Sequence, residues 1–186
     1  MASNSRRQIE GWLSKIDVKG NVIDVGGLFW PAKGRTKSWD VPWYVIQDIK
    51  KTRKGVVAEV VCDMNKPVPE EYKLMTKGQF DVVFCVEVLD HIWNPYQAFN
   101  NMSDFLKPGG MLYISANFMF PHHTGFDCAR YTNVGIQKLL DETGFTMVEC
   151  AARFAVDSAL FDNLARESKV VYHRDHIGYM ITAKKI

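Results

Sequence analysis

Apolar, β-branched runs alternate along this chain with segments of helical periodicity, and that alternation restricts the fold more than any single motif. Strands are predicted at residues 21–25, 43–47, 56–62, 80–86 and 111–116. Between the last two lies a helix over 95–106, closed by Lys107-Pro108-Gly109-Gly110. An amphipathic helix over 5–16 precedes the first strand, with Ile9, Trp12, Leu13 and Ile16 on one face. Thr132 is placed to cap a helix over 132–143 that stops at Gly144. Two more strands, 145–153 and 177–184, flank a short helix at 157–166. Strands alternating with helices predict an α/β, doubly wound, mostly parallel sheet covered on both faces. The last two strands are expected to pair antiparallel at one edge.

With 186 residues the chain is expected to form a single domain over 1–186, with an N-terminal helical segment (1–18) packing on it. A net charge of +2 exerts no global pull toward nucleic acid or membrane. The opening MASNSRRQIEGW has no apolar run behind its basic residues, so no secretory leader is expected. No stretch reaches the ~20 apolar residues of a membrane span. Cys62, Cys85, Cys128 and Cys150 are scattered, without a C-x-x-C pair, and read as reduced thiols of a cytoplasmic protein. Nothing in the sequence sets an oligomeric state.

In a sheet of this kind ligands bind outside the carboxyl ends of the strands. Four successive predicted strands end in an acid: Asp24-Val25-Gly26-Gly27, Gln47-Asp48, Cys62-Asp63-Met64 and Val86-Glu87. Converging carboxylates would repel a pyrophosphate and attract a cation. Asp48, about 20 residues beyond the glycine pair, is placed to accept from both hydroxyls of a ribose. Asp63 is placed to accept from an adenine amino group with Met64 against the ring, or else to cap its own Asp-x-Asn turn.

In that order, VIDVGG, YVIQDI, VVCDMN, FDVVFCVEVLDHI and LKPGGMLYIS resemble the class I S-adenosylmethionine-dependent methyltransferases, nearest to the type 11 group. The resemblance runs from about residue 21 to 145, and PHHTGFDCARYTNVGIQKLLDETGF is also similar to a stretch common in that group. It implies a Rossmann-like seven-stranded sheet of order 3-2-1-4-5-7-6 with the seventh strand antiparallel, and S-adenosyl-L-methionine as cofactor. By the resemblance, Gly26 and Gly27 pass beneath the methionine part and Asp24 orients it. Asp48 holds the ribose, Asp63 and Met64 the adenine, and Val86 and Glu87 border the methionine. The family's run of alternating glycines is broken here by Leu28 and Trp30.

Methyl transfer to a hydroxyl asks for a base and a dry site around a cationic donor. His122 and His123, just past the fifth strand, are the candidate base, with Asp127, Arg130 and Tyr131 of the same loop facing a polar acceptor. Phe29, Trp30, Phe118, Phe120 and Tyr131 are candidates for the aromatic lining. Glu87, Asp90 and His91 would share one face of a helical turn, similar to the E-x-x-E-H metal element of some O-methyltransferases. Asp90 replaces the second glutamate, and metal-independent chemistry is expected. The basic run IKKTRKG reads as a solvated loop. Expected partners are a small-molecule acceptor and no membrane, with nucleic acid disfavoured. A nicotinamide enzyme would need G-x-G-x-x-G, which the turn lacks. The competing reading is a non-catalytic scaffold of the same fold that binds S-adenosylmethionine or a nucleotide.

Overall fold

The computed structural model describes residues 3–122, 125–155 and 176–186. Its elements run α1 (Asn4–Leu13), β1 (Asp17–Lys19), β2 (Val22–Val25), β3 (Ser38–Asp40), β4 (Tyr44–Asp48), β5 (Thr52–Arg53), β6 (Val56–Val57) and β7 (Val60–Val61). Then come α2 (Glu70–Thr76), β8 (Phe80–Cys85), a 3-10 turn (Leu89–His91), α3 (Pro95–Phe105), β9 (Leu106–Asn117), α4 (Asn133–Glu142), β10 (Phe145–Phe154) and β11 (His176–Lys185).

Seven strands form one sheet in the order β10-β11-β9-β8-β2-β4-β7. Numbered along the chain, these seven give the expected order 3-2-1-4-5-7-6. Pairing is parallel from β9 through β8, β2 and β4 to β7. Reversed β11 runs antiparallel to both β9 and β10. The period of two sends alternate residues to opposite faces. Ile23, Val83 and Cys85 join one core with Phe99, Met102 and Phe105 of α3 and Ile136 and Leu140 of α4. Val22, Val82 and Phe84 join the other with Ile9, Trp12 and Leu13 of α1. Helices on both faces follow from strands that are apolar on both.

Three helix starts are made locally, that of α3 by Gln97 N donating to Asn94 Oδ1 at 3.3 Å. Arg6 N donates to Ser3 Oγ at the start of α1, and Gly135 N donates to Thr132 Oγ1 at the start of α4. The third predicted strand differs from expectation. Lys54 and Gly55 both take positive φ and turn the chain back, so β5 and β6 form a small hairpin and only β7 joins the sheet. The basic run is therefore a hairpin, not an open loop. Lys107-Pro108-Gly109-Gly110 follows the end of α3 at Phe105, as expected, and also belongs to the start of β9, where the β8–β9 register shifts. The parallel pair β1–β3 and helix α2 had no clear sequence signal. The predicted helix at 157–166 lies outside the described residues.

Among the described residues no helix is long and apolar enough to cross a membrane. Cys62 and Cys85 are buried in the core, and burial raises the Cys62 thiol to about 11 and the Cys85 thiol further. Both are poor nucleophiles at neutral pH.

Candidate active site

The carboxyl ends of β2, β4, β7 and β8 lie side by side, because consecutive parallel partners present the same end. At β2 the chain turns on Gly26, with φ at +73° and its N–H donating to Gln47 O at 2.8 Å. A Cβ on Gly26 would lie 2.4 Å from Val88 Cγ2, and one on Gly27 would lie 2.8 Å from Asp24 Cγ. Protein atoms therefore fill the space both glycines leave open. Their absent side chains let the turn close against Asp24 on one side and the end of β8 on the other.

Asp24 is buried, 3% exposed. Its Oδ2 accepts from Ala32 N at 2.6 Å and from Tyr44 Oη at 2.7 Å. Burial raises its pKa to about 6, against the two hydrogen bonds and the Arg35 charge, which pull it down. Asp24 thus ties the loop after the glycine turn to β4. Leu28, at a position where the family carries glycine, packs with Ile46 and Ala58 in a small separate cluster. Phe29 and Trp30 stay half exposed, stacked under Arg53 and Arg6 at 3.6 and 4.2 Å.

The next two acids are held by their own turns. Asp48 Oδ1 accepts from Lys50 N at 3.1 Å. Asp63 Oδ1 accepts from Asn65 N and Nδ2 at 3.0 and 2.8 Å, which is the Asp-x-Asn turn. Asn65 in turn accepts from Trp93 N and Asn94 N, both at 2.9 Å, and so fixes the loop before α3. Met64 is buried in the main core.

Glu87, just past β8, has φ at +60°, a left-handed conformation that a non-glycine residue adopts at some cost. Its N–H donates to Ser115 Oγ at 2.7 Å, and its Oε1 accepts from Ser115 Oγ and from Arg153 Nη1, each at 3.0 Å. Val86, beside it, is mostly buried. This corrects the expected helical face: the 3-10 turn begins only at Leu89, so Glu87 lies outside it and shares no helical turn with Asp90 and His91. Among the described residues no three His, Cys, Asp or Glu side chains are gathered as a metal site.

The loop after β9 is docked rather than free. Cys128 N and Ala129 N donate to Asp90 O, Tyr131 N to Asn117 O, and Tyr131 Oη to Leu89 O at 3.1 Å. Tyr131 is core, not site lining. Phe118 packs at the core edge beside Tyr179. His91 Nδ1 contacts Phe126 O. Asp127, its side chain 1% exposed, holds Arg130 bidentately, Nη2 to Oδ2 at 2.7 Å. Arg130 also donates to Phe120 O and Pro121 O. His122 is 80% exposed, with Nε2 3.9 Å from Asp127 Oδ2. His123 lies outside the described residues.

Sequence reasoning missed Arg153, Ser115, Asn117 and Tyr44. None of them carried a local signal of its partners in the sequence. A groove of about 520 Å³ between α1 and the face of β9 to β11 shares no residue with the strand-end set.

Residues 45–114 match a family model described as a methyltransferase domain. A curated relative, the ubiquinone biosynthesis O-methyltransferase of Xanthomonas oryzae pv. oryzae, is 28% identical over 108 residues, covering 55% of this chain and 45% of that protein. The chain spans less than half the length of the curated relatives it matches. A solved S-adenosylmethionine-dependent methyltransferase from Mesorhizobium loti superposes with a TM-score of 0.65 at 14% identity, covering 99% of each chain. Haemonchus contortus phosphoethanolamine N-methyltransferase 2, solved with S-adenosyl-L-methionine, gives 0.63 at 17% identity, covering 98% of this chain and 52% of that one. At such identities the likeness establishes the fold.

Proposed function

We propose that this chain is a class I S-adenosylmethionine-dependent methyltransferase that transfers a methyl group to a hydroxyl of a small molecule or sugar, a reading supported by its fold and its matched segment. The observation that carries this reading is the set of acids, Asp24, Asp48, Asp63 and Glu87, at four neighbouring parallel strand ends beside a turn with only two glycines. That set of acceptors fits S-adenosyl-L-methionine, whose hydroxyls, amino groups and sulfonium call for acceptors and negative charge rather than a phosphate nest. When bound, it supplies an electrophilic methyl on a sulfonium.

Asp48 would hold the ribose through Oδ2, which no described residue occupies, while Oδ1 caps the turn. Asp63 is committed at Oδ1 in the same way and offers Oδ2 to the adenine amino group. Asp24 acts one step removed, through Ala32 and Tyr44. Val86 and Glu87 border the methionine end. Met64, being buried, would reach the adenine by no more than an edge.

For the acceptor, His122 is the better base than Asp127. Both oxygens of the Asp127 carboxylate are already engaged by Arg130. Exposed His122 can take the hydroxyl proton as the acceptor oxygen attacks, with Asp127 steadying the imidazolium. The hydroxyl acceptor is supported by the O-methyltransferase name of the curated relatives together with this His–Asp pair.

Titration of the protein with S-adenosylhomocysteine, followed by methyl transfer from radiolabelled S-adenosylmethionine to panels of phenols, sugars and amines, tests the reading. Binding with transfer to hydroxyls alone supports it. Binding with no transfer to any panel favours the non-catalytic scaffold, and absence of binding removes the cofactor.

A further inference from the structure

Among the described residues Arg153 is the largest fully buried side chain, at 0% exposure. Its guanidinium lies where α1, β8, β9, β10 and β11 meet. Nη1 donates to Ser5 Oγ of α1 and to Glu87 Oε1, each at 3.0 Å. Nη2 donates to Ala116 O at 3.0 Å and to Asn117 Oδ1. Nε is buried without a partner. Gly178 on β11 completes the arrangement, since a Cβ there would lie 2.4 Å from both Arg153 Nη2 and Ala116 O.

Stability alone does not account for this. Burying a guanidinium carries a large desolvation cost, and its pairing with a partly exposed carboxylate returns only part of it. The orphaned Nε adds the cost of a desolvated donor left unpaired. An apolar residue of similar volume would serve a merely structural role as well or better. What the guanidinium achieves is geometric. It draws Glu87 Oε1 inward, and Ser115 pins the same oxygen and the Glu87 N–H. Together they hold the residue in its left-handed bend at the strand end. Oε2 is left without a described donor, on a side chain that is 25% exposed.

We propose that Arg153 is a positioning residue for the cofactor site: it fixes Glu87 so that Oε2 faces the ammonium of the bound amino-acid moiety. This rests on the methyltransferase reading above. Arg153 touches no ligand itself. The charge it carries also balances Glu87, so that the strand end presents a single oriented acceptor rather than a mobile carboxylate.

The test uses two probes, S-adenosylhomocysteine and 5′-methylthioadenosine, which lacks the amino-acid part. Each is titrated calorimetrically into the wild type, Arg153→Lys, Glu87→Gln and the double variant, with folding checked by circular dichroism. Arg153→Lys and Glu87→Gln should each weaken S-adenosylhomocysteine about tenfold, as for a lost charge-assisted hydrogen bond, and leave 5′-methylthioadenosine within about twofold. The double variant should be no weaker than either single one, because both changes remove one interaction. Ser115→Ala, a smaller change, should show the same selectivity at about threefold. It carries the test with Glu87→Gln should Arg153→Lys not fold. Equal weakening of both probes, additive losses, or unchanged S-adenosylhomocysteine affinity in the folded variants would overturn the proposal. A wild type that binds neither probe sinks the methyltransferase reading itself.

Discussion

The two halves of the strand-end site are built by opposite means. On the β4–β7 side, Asp48 and Asp63 are each held by a backbone N–H two residues away. On the β8–β9 side, Glu87 is held by Ser115 and Arg153, 28 and 66 residues distant, and Arg153 reaches 148 residues back to Ser5. The first half is a set of turns that form wherever the strand ends are brought together. The second exists only once five elements have docked. A change in the first should therefore touch the ligand and spare the fold, whereas one in the second should disturb both.

The sharpest way to break that contrast is Gly178→Ala. Its new Cβ meets a backbone carbonyl that cannot move without shifting β9. Urea unfolding should show a loss of about 3 kcal/mol, the scale of an overpacked core site. A change below about 0.5 kcal/mol would mean the long-range half yields as readily as a turn.

Replacing His122 and His123 together with Gln should lower methyl transfer by about 10²-fold, near 2.7 kcal/mol of barrier, with S-adenosylhomocysteine affinity unchanged. Collapse of that affinity in a folded variant would make the docked loop part of the cofactor site instead.

Asp24→Asn sharpens the comparison through pH. Burial lifts the folded pKa of Asp24 from the usual 3.8 to about 6, so the native state keeps this proton longer than the unfolded chain does. The wild type should therefore lose stability as pH rises from about 4 to about 6, on the order of 2 kcal/mol. The variant lacks this titration, so its stability relative to wild type should climb through that window and level off above pH 7. Denaturant midpoints at pH 4.5, 6 and 7.5 would read it, and a flat difference would place the perturbation elsewhere.

Smallest is Asp48→Ala, expected to weaken S-adenosylhomocysteine about tenfold while costing roughly 0.5 kcal/mol of stability, since only its own turn is lost. Unchanged affinity in the folded variant would remove Asp48 from the site.

The sequence by itself determined what depends on neighbours along the chain. Strand and helix periodicity, the Thr132 cap, the reversing glycines and the acids at strand ends are local properties, and the sheet order followed from their succession and the family resemblance. Only the tertiary structure decided the rest. The basic run 50–54 became a hairpin because Lys54 and Gly55 turn the chain back before β7. Glu87 stands outside the turn that carries Asp90 and His91, in a left-handed bend where Ser115 on β9 and Arg153 on β10 hold its carboxylate. The expected aromatic lining separated into core Tyr131 and half-exposed Phe29 and Trp30. Arg153 gave no local sign of its task, since a buried cation is defined by partners that approach it only when distant strands pair.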